Sequence, residues 1–293
     1  MDPKIRMIAL DLDGTLLNSQ KGISSEDSRA LEEAFGRGIE IVPVTGRNFS
    51  FALPVVEKLP FEVTLVTTNG AVIRSRRGET FLRRLLPAAA ARQVLHVVAA
   101  EFWPYTVVVY DQAGAGHLRI QATSNGAAAE AQTISGGVAG SAWLERNQHF
   151  VQRFESLEQA LDGDPLEILF TGPMKTITEI GRRLGQDCDS NESARPYRLL
   201  RTEYPNRDFA LLDAIHIECS KGAALEHWSQ LRGISSAEIM AIGDNYNDLE
   251  MLRYAGLPVV MGNADDTLKQ QGWPITLDCD SSGVAHALRK YVL

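Results

Sequence analysis

Two aspartates stand two positions apart directly behind the apolar run Ile5–Leu10, within the segment Asp11-Leu12-Asp13-Gly14. A nearly continuous apolar run predicts a strand that is covered on both faces of its sheet. Paired carboxylates at the end of such a buried strand are unfavourable unless a cation is bound beside them. The segment therefore predicts a Mg²⁺ site, since Mg²⁺ prefers oxygen ligands, together with a carboxylate nucleophile.

The two flanks of the chain alternate apolar runs with helical patterns. The N-terminal flank predicts a helix over residues 25–37 and strands over 5–10, 39–44 and 63–67. The C-terminal flank predicts helices over 247–254 and 284–291 and strands over 239–242, 257–261 and 275–277. Strands that alternate with helices are typical of an α/β fold with a doubly wound, mainly parallel sheet.

The middle of the chain has a different order of elements. Helices are predicted over residues 87–100 and 174–184, and strands over 106–110, 118–121, 166–170, 197–200 and 209–217. This order indicates an inserted α+β domain with antiparallel strands. Residues 111–141 are rich in small and polar residues and predict a long excursion within it. We expect residues 1–83 and 215–293 to form the α/β core and residues 84–214 the insert.

Composition restricts the partners of this chain. With 37 acidic and 29 basic residues the net charge is −8, which argues against a nucleic-acid partner because a phosphate backbone needs a positive surface. No apolar run approaches the length of a membrane span, and the first residues do not resemble a signal peptide. Three cysteines without a CxxC pair offer no disulfide framework, so we expect a cytoplasmic protein. The six histidines have no metal-ligand spacing.

Polar residues follow four of the predicted strands. In a doubly wound sheet, ligands bind beyond the carboxyl ends of the strands. The four segments are Asp11-Leu12-Asp13-Gly14, Thr45-Gly46-Arg47, Thr68-Asn69-Gly70 and Gly243–Asp248. We expect them to converge at one edge of the sheet, which then carries the functional site.

Each segment also has a purely structural interpretation. Asp11-Leu12-Asp13 and Thr45-Gly46 fit simple turns, Asn69-Gly70 fits a two-residue hairpin turn, and Gly243–Asp248 fits a capped helix start. A lone lysine such as Lys221 is usually solvated. The carboxylates in both flanks favour a shared site for the first and last segments. The residues alone leave both interpretations open for the other two segments and for Lys221.

Taken in order along the chain, the motifs resemble those of one enzyme family. They are DLDGTLL at 11–17, TGR at 45–47, NGA at 69–71, SKG at 220–222, GDNYND at 243–248, VVMGNA at 259–264 and SSGVAHAL at 281–288. The set is similar to the haloacid dehalogenase (HAD) superfamily, and most similar to its Cof-type (subfamily IIB) phosphatases. The resemblance implies a Rossmann-like core and identifies the insert as an α/β cap domain of the C2 type.

The resemblance implies that the chemistry lies on three aspartates. Asp11 would be the nucleophile that forms an aspartyl-phosphate. Asp13 would protonate the leaving oxygen and then deprotonate the attacking water. Asp11, the main-chain carbonyl of Asp13 and Asp244 would hold Mg²⁺ as the cofactor.

The remaining matched residues would bind the phosphate or support the site. The implied phosphate and substrate ligands are the amide of Leu12, Thr45, the amide of Gly46, Lys221 and Asn247. Asp248 would lie behind them and orient Lys221 or a metal-bound water. The polar stretch that precedes SKG, residues 216–219, departs from the family pattern and blurs the point at which the chain returns to the core.

These observations predict a Mg²⁺-dependent phosphatase that acts on a small phosphorylated metabolite, with a sugar phosphate favoured. One alternative is a phosphotransferase or phosphomutase that uses the same aspartyl-phosphate. Another is a non-catalytic sensor that binds a phosphorylated ligand. A pure binder has no need for Asp13 as an acid, which weighs against the sensor.

Overall fold

The structure is a computed structural model that describes residues 4–111, 117–121, 147–185, 195–204 and 208–293. Its contacts divide the chain into two compact units. One unit, hereafter the core unit, comprises Met1–Arg83 and Cys219–Leu293; the other, the inserted unit, comprises Arg84–Glu218. Much of the predicted excursion over residues 111–141, together with Cys188, lies outside the described residues.

Seven of the strands in the described residues belong to the core unit. They are β1 (Met7–Leu10), β2 (Glu40–Pro43), β3 (Thr64–Thr67), β4 (Val72–Ser75), β5 (Thr80–Arg83), β12 (Ile239–Gly243) and β13 (Leu257–Val260). The inserted unit contains β6 (Thr106–Val109), β7 (Leu118–Gln121), β8 (Val151–Phe154), β9 (Glu167–Gly172), β10 (Tyr197–Tyr204) and β11 (Phe209–His216).

The α-helices of the core unit are α1 (Ser25–Gly36), α2 (Phe49–Val56), α5 (Lys221–Leu231), α6 (Leu249–Tyr254), α7 (Asp266–Lys269) and α8 (Gly283–Tyr291). Those of the inserted unit are α3 (Ala88–Val98) and α4 (Met174–Arg183).

The main sheet of the core unit is parallel, in the order β13-β12-β1-β2. Alternate residues of β1 point to opposite faces, as expected for a strand. Ile8 and Leu10 belong to a core formed with α1, α2 and α8, whereas Met7 and Ala9 belong to a core formed with α5 and α6. Helices therefore cover both faces of a parallel sheet, which confirms the predicted doubly wound α/β fold.

A smaller antiparallel sheet in the order β3-β4-β5 continues from the edge of the main sheet. Strand β3 is joined to the chain after β2 by a single parallel bridge between Val44 and Val66. Sequence analysis counted β3 among the parallel strands. The three-residue turn Thr68–Gly70 instead reverses the chain, so β3 makes its main pairing with β4.

The predicted strand over residues 275–277 is wrong. It makes only an isolated bridge, between Ile275 and Val260. Ile275 and Leu277 are 47% and 45% exposed, so the apolar side chains that suggested a buried strand lie at the surface.

The inserted unit is a six-stranded sheet in the order β10-β11-β9-β6-β7-β8, with antiparallel pairs except for the parallel pair β7–β8. Helices α3 and α4 pack on one face through residues such as Val94 and Ile177, against Ile168 and Leu212 of the sheet. The unit is thus the expected α+β type.

The predicted return to the core at residue 215 falls inside β11. Ala214 and Ile215 still pair with Ile168 and Glu167 of β9, and the inserted unit extends to Glu218. Among the described residues, no helix is both long enough and apolar enough to cross a membrane.

Candidate active site

A buried lysine links two of the predicted site carboxylates. The Nζ of Lys221 donates to Oδ1 of Asp11 and to Oδ1 of Asp248, each at 2.6 Å. All three side chains are buried, and that of Lys221 is only 1% exposed. Buried charges of this kind are tolerated only when they are paired, so each member depends on the other two.

The fold brings these residues together from three elements. Asp11 directly follows β1 and Asp244 directly follows the neighbouring parallel strand β12. Lys221 is the first residue of α5, whose N-terminus is capped by the side chain of Ser220, which accepts from the amide of Ala223 at 3.0 Å. The carboxyl ends of two adjacent strands and the start of one helix therefore meet at one edge of the sheet.

Asp248 also fixes the loop that carries Asp244. Its Oδ2 accepts from the amides of Asp244 and Asn245, each at 3.0 Å, while its Oδ1 binds Lys221. A Cβ on Gly243 would lie 2.6 Å from the Cβ of Asp248, so this close approach requires glycine. Both oxygens of Asp248 have protein donors, in keeping with the predicted supporting position.

The charges at this edge shift the pKa values of the site groups. Burial raises the pKa of Asp11 to about 7, although the ammonium of Lys221 opposes the shift. Burial, with the charges of Asp11 and Asp248 adding to it, raises the pKa of Asp244 well above its ordinary value. Burial alone would lower the pKa of Lys221, but Asp11 and Asp248 outweigh it and raise that pKa. Lys221 therefore stays protonated, but its single positive charge does not balance the carboxylates of Asp11, Asp244 and Asp248.

This set of groups fits a divalent cation with a preference for oxygen. Carboxylate oxygens of Asp11, Asp244 and Asp248 lie within 4.8 Å of one another. In the part of the chain that the structure describes, no other group of three or more acidic, histidine or cysteine side chains comes together in this way. Hard oxygen donors with surplus negative charge are what Mg²⁺ requires.

Asp13 lies in a different electrostatic environment. Arg47 donates to both of its oxygens, from Nε to Oδ2 at 2.6 Å and from Nη2 to Oδ1 at 2.7 Å. Lys21 donates from Nζ to Oδ1 at 2.8 Å. Burial alone would raise the pKa of Asp13, but these cationic donors lower it to about 2. The carboxylate of Asp13 is thus held by cations, apart from the three clustered carboxylates.

Three of the predicted phosphate ligands, Thr45, Gly46 and Asn247, meet around Asn69. The amide of Asn69 donates to the carbonyl of Thr45 at 3.1 Å, and its Oδ1 accepts from Nδ2 of Asn247 at 3.2 Å. A Cβ on Gly46 would lie 3.1 Å from the same Oδ1. Thr45 is buried and its hydroxyl accepts from the amide of Arg47 at 3.2 Å. Asn69 therefore joins Thr45, Gly46 and Asn247 into one loop cluster.

The chain between Asp11 and Leu17 is held tightly. The carbonyl of Leu12 accepts from the amide of Leu17 at 2.7 Å, and the Leu12 side chain is buried in the core. Thr15 donates from its hydroxyl to Oδ1 of Asp244 at 3.0 Å. Gly14 has a φ of +86°, and a Cβ there would lie 2.9 Å from Cγ of Asp244. The two halves of the site are thus bonded to each other directly.

The site contains four residues to which sequence analysis gave no role: Thr15, Lys21, Arg47 and Asn69. Arg47 and Asn69 belong to segments expected to converge there, but neither residue was given a role of its own, and Asn69-Gly70 also fitted a hairpin turn. Asn69 has a φ of 50°, in the left-handed region that asparagine tolerates better than most residues. Lys21 lies in a loop without any motif, so no pattern in the sequence indicates its contact with Asp13.

Comparison with known proteins identifies the family of this chain. A family model described as haloacid dehalogenase-like hydrolase matches residues 8–288. The chain is 28% identical to Phosphatase YwpJ of Bacillus subtilis, over 97% of this chain and 99% of the relative. It is 27% identical to the HMP-PP phosphatase of Serratia proteamaculans, over 98% of this chain and 95% of the relative.

Solved structures show the same fold. A haloacid dehalogenase-like hydrolase from B. subtilis aligns with a TM-score of 0.76 at 26% identity, covering 99% of this chain and 100% of that chain. The family predicted from the motifs is thereby confirmed. The chain belongs to the haloacid dehalogenase-like hydrolase family.

Proposed function

We propose that this enzyme is a Mg²⁺-dependent phosphatase that hydrolyses a small phosphorylated metabolite through a phosphorylated Asp11. The observation that carries the proposal is the buried contact of Asp11 with Lys221, which lies beside the carboxylates of Asp244 and Asp248. A carboxylate that attacks a phosphate dianion meets like-charge repulsion. Fixed positive charge at the nucleophile reduces that repulsion without reorganisation during the reaction.

In the first step, a carboxylate oxygen of Asp11 forms a bond to phosphorus while the bond from phosphorus to the ester oxygen breaks. The electron pair of the broken bond stays on the leaving oxygen, which takes a proton from Asp13. Asp13 is ionised in the free enzyme, since its pKa is about 2. It must therefore gain its proton when substrate binds, because the negative charge of phosphate raises the pKa of a nearby carboxyl.

In the second step, a water attacks phosphorus and the bond from phosphorus to Asp11 breaks. Asp13 accepts the proton of that water, so both aspartates regain the states they had in the substrate complex, and Asp13 loses this proton again as phosphate leaves. Lys221 would hold phosphate oxygens together with Thr45, Asn247 and the amides of Leu12 and Gly46. Asp248 would keep Lys221 in position through its 2.6 Å hydrogen bond.

Mg²⁺ would be held by Asp11, Asp244 and the main-chain carbonyl of Asp13. When bound, it supplies charge that neutralises the phosphate and stabilises its transfer. The fit rests on the clustered carboxylates described above.

We further propose that the inserted unit, Arg84–Glu218, is the cap domain implied by the motifs, and that the substrate is a sugar phosphate. The similar curated proteins are phosphatases by name, and the HMP-PP phosphatase is one of them. The proposal of a small phosphorylated substrate is supported by these names.

The test is phosphate release from a panel of sugar, nucleotide and cofactor phosphates, with and without Mg²⁺. We expect release that depends on Mg²⁺ and is abolished by Asp11→Asn, with the exposed Asp266→Asn as the matched control. Phosphate and alcohol formed in equal amounts indicate hydrolysis, whereas less phosphate than alcohol indicates transfer to a second acceptor. Near-normal turnover by Asp11→Asn would refute Asp11 as the nucleophile.

A further inference from the structure

We propose that the preferred substrate carries a second anionic group, a carboxylate or a phosphate, close to its leaving oxygen, and that Lys21 binds this group. The inference rests on the proposed function and concerns the same site. Nothing in the family motifs includes Lys21; its place beside Asp13 is a feature of the structure.

Two cations share the carboxylate of Asp13. Arg47 binds both oxygens of Asp13, at 2.6 and 2.7 Å, in the parallel arrangement that suits a guanidinium and a carboxylate. Lys21 adds a third hydrogen bond, to Oδ1 at 2.8 Å. Because Arg47 already supplies a positive charge to this carboxylate, the charge of Lys21 exceeds what Asp13 alone requires.

The side chain of Lys21 is more exposed to solvent than the carboxylate that it binds. The side chain of Lys21 is 54% exposed, whereas that of Asp13 is 24% exposed. The loop around Lys21 is fixed by Asn18, whose carbonyl accepts from the amide of Lys21 at 2.9 Å and whose Oδ1 accepts from the amide of Gly22 at 2.9 Å. A cation on a fixed loop, open to solvent, is available to a ligand that enters the site.

The position of Asp13 sets the distance from Lys21 to the leaving group. An acid must lie within about 3.2 Å of the oxygen that it protonates. Since Nζ of Lys21 is 2.8 Å from Oδ1 of Asp13, this ammonium lies at most about 8 Å from the leaving oxygen even when Asp13 uses its far oxygen. An anionic group attached one or two atoms beyond that oxygen can therefore form an ion pair with Lys21.

The charge balance of the site favours such a substrate. The carboxylates of Asp11, Asp244 and Asp248 outnumber the single ammonium of Lys221 by two charges, which one Mg²⁺ balances. The Asp13 side of the site instead has the cations Arg47 and Lys21 on one carboxylate. A leaving group with its own negative charge complements this side, as phosphate and carboxylate groups complement fixed cations elsewhere.

The test compares two pairs of substrates that differ in the second anionic group. Glycerol 2-phosphate is paired with 2-phosphoglycerate, in which one hydroxymethyl group is replaced by a carboxylate. Methyl phosphate is paired with methyl diphosphate, in which the second anion is a phosphate. For each pair, the ratio of kcat/KM values is measured for the wild type, Lys21→Gln, Lys21→Arg and the exposed control Lys58→Gln.

We expect the ratio in at least one pair to favour the doubly anionic substrate and to fall about fivefold in Lys21→Gln, the effect of one partly screened charge pair. Lys21→Arg should restore the ratio, Lys58→Gln should keep it, and added salt should reduce it. Lys21 only positions Asp13, and the inference is overturned, if Lys21→Gln slows glycerol 2-phosphate and 2-phosphoglycerate equally and slows methyl phosphate at least as much as methyl diphosphate, because a weakened acid affects the poorer leaving group more. Release of phosphate with unchanged ratios would overturn the inference alone, whereas no release from any substrate would overturn the proposed function as well.

Discussion

The Nζ of Lys221 lies 2.6 Å from Oδ1 of Asp11, although 210 positions separate the two residues in the sequence. Asp11 follows the first strand of the core unit, and Lys221 begins the helix that follows the inserted unit. The contact forms only when both flanks of the chain have folded into one sheet. Formation of this buried ion pair therefore depends on folding of the core unit.

Replacing Lys221 with Met should damage both stability and activity. The change leaves Asp11 and Asp248 buried without their shared cation, which typically costs about 3–5 kcal/mol of unfolding free energy. Phosphate release should fall by at least about 100-fold, since a fixed charge at the reacting group is lost. Urea unfolding and phosphate release measure the two effects. The same substitution at exposed Lys58 should change the unfolding free energy by less than about 0.5 kcal/mol.

Replacing Asp13 with Asn should affect substrates according to their leaving groups. An alkyl phosphate needs a proton on its leaving oxygen, so its hydrolysis should slow by about 10²–10⁴-fold. A nitrophenyl phosphate has a leaving group that needs little protonation, and its first step should slow much less. Steady-state rates and pre-steady-state bursts for both esters provide the measurement. Equal losses for both in the first step, as the bursts report it, would count against Asp13 as the acid.

The site could be predicted in part because the strongest charges lie within contiguous segments. Asp11 and Asp244 stand directly after buried strands and Asp13 two positions after Asp11, and the cost of burying these carboxylates without a cation is evident from the sequence. Contacts between distant loops give no such signal. The hydrogen bond between Asn69 and Asn247 joins two segments, each of which also has a purely local interpretation in the sequence. Lys21 contacts Asp13 from a loop that hydrogen bonds to Asn18 hold in place.

The fold was predictable where a strand is buried on both faces of its sheet and less so elsewhere. Apolar runs predicted β1, β2 and β12 because helices cover both faces of their sheet. Helix α2 was missed because it is short and contains Pro54, which a pattern search takes as a break. The side chain of Asn48 caps α2 by accepting from the amide of Phe51 at 3.2 Å, and this supports the first turn.

Mg²⁺ affinity should increase with pH. Burial raises the pKa of Asp11 to about 7 in the metal-free enzyme, and Lys221 only partly opposes it. Because the pKa of this carboxyl is higher in the folded than in the unfolded protein, the metal-free protein loses stability as the pH rises from the unfolded-state pKa to the folded-state pKa. A bound cation offsets this loss. Protonation competes with the metal, so affinity should fall at least about tenfold from pH 8 to pH 6.

Calorimetric titration in buffers with different ionisation enthalpies tests this, since binding at pH 6 should release protons. The rise in Tm on adding Mg²⁺ should also be larger at pH 8 than at pH 6. In Asp11→Asn the binding should be weaker and its pH dependence shallower. A pH-independent affinity in the wild type would contradict the predicted role of Asp11 as a ligand.

Gly14 should be essential for the metal site, and Gly78 offers a matched control. Both have positive φ, +86° and +95°, so Ala at either position costs about 1 kcal/mol in backbone strain. A Cβ on Gly14 would overlap the carboxylate of Asp244, whereas a Cβ on Gly78 meets nothing within 4 Å. Gly14→Ala should therefore weaken Mg²⁺ binding by about tenfold or more, because the ligand is displaced. Gly78→Ala should lose only stability, and equal Mg²⁺ affinities in the two variants would show that Asp244 is not a ligand.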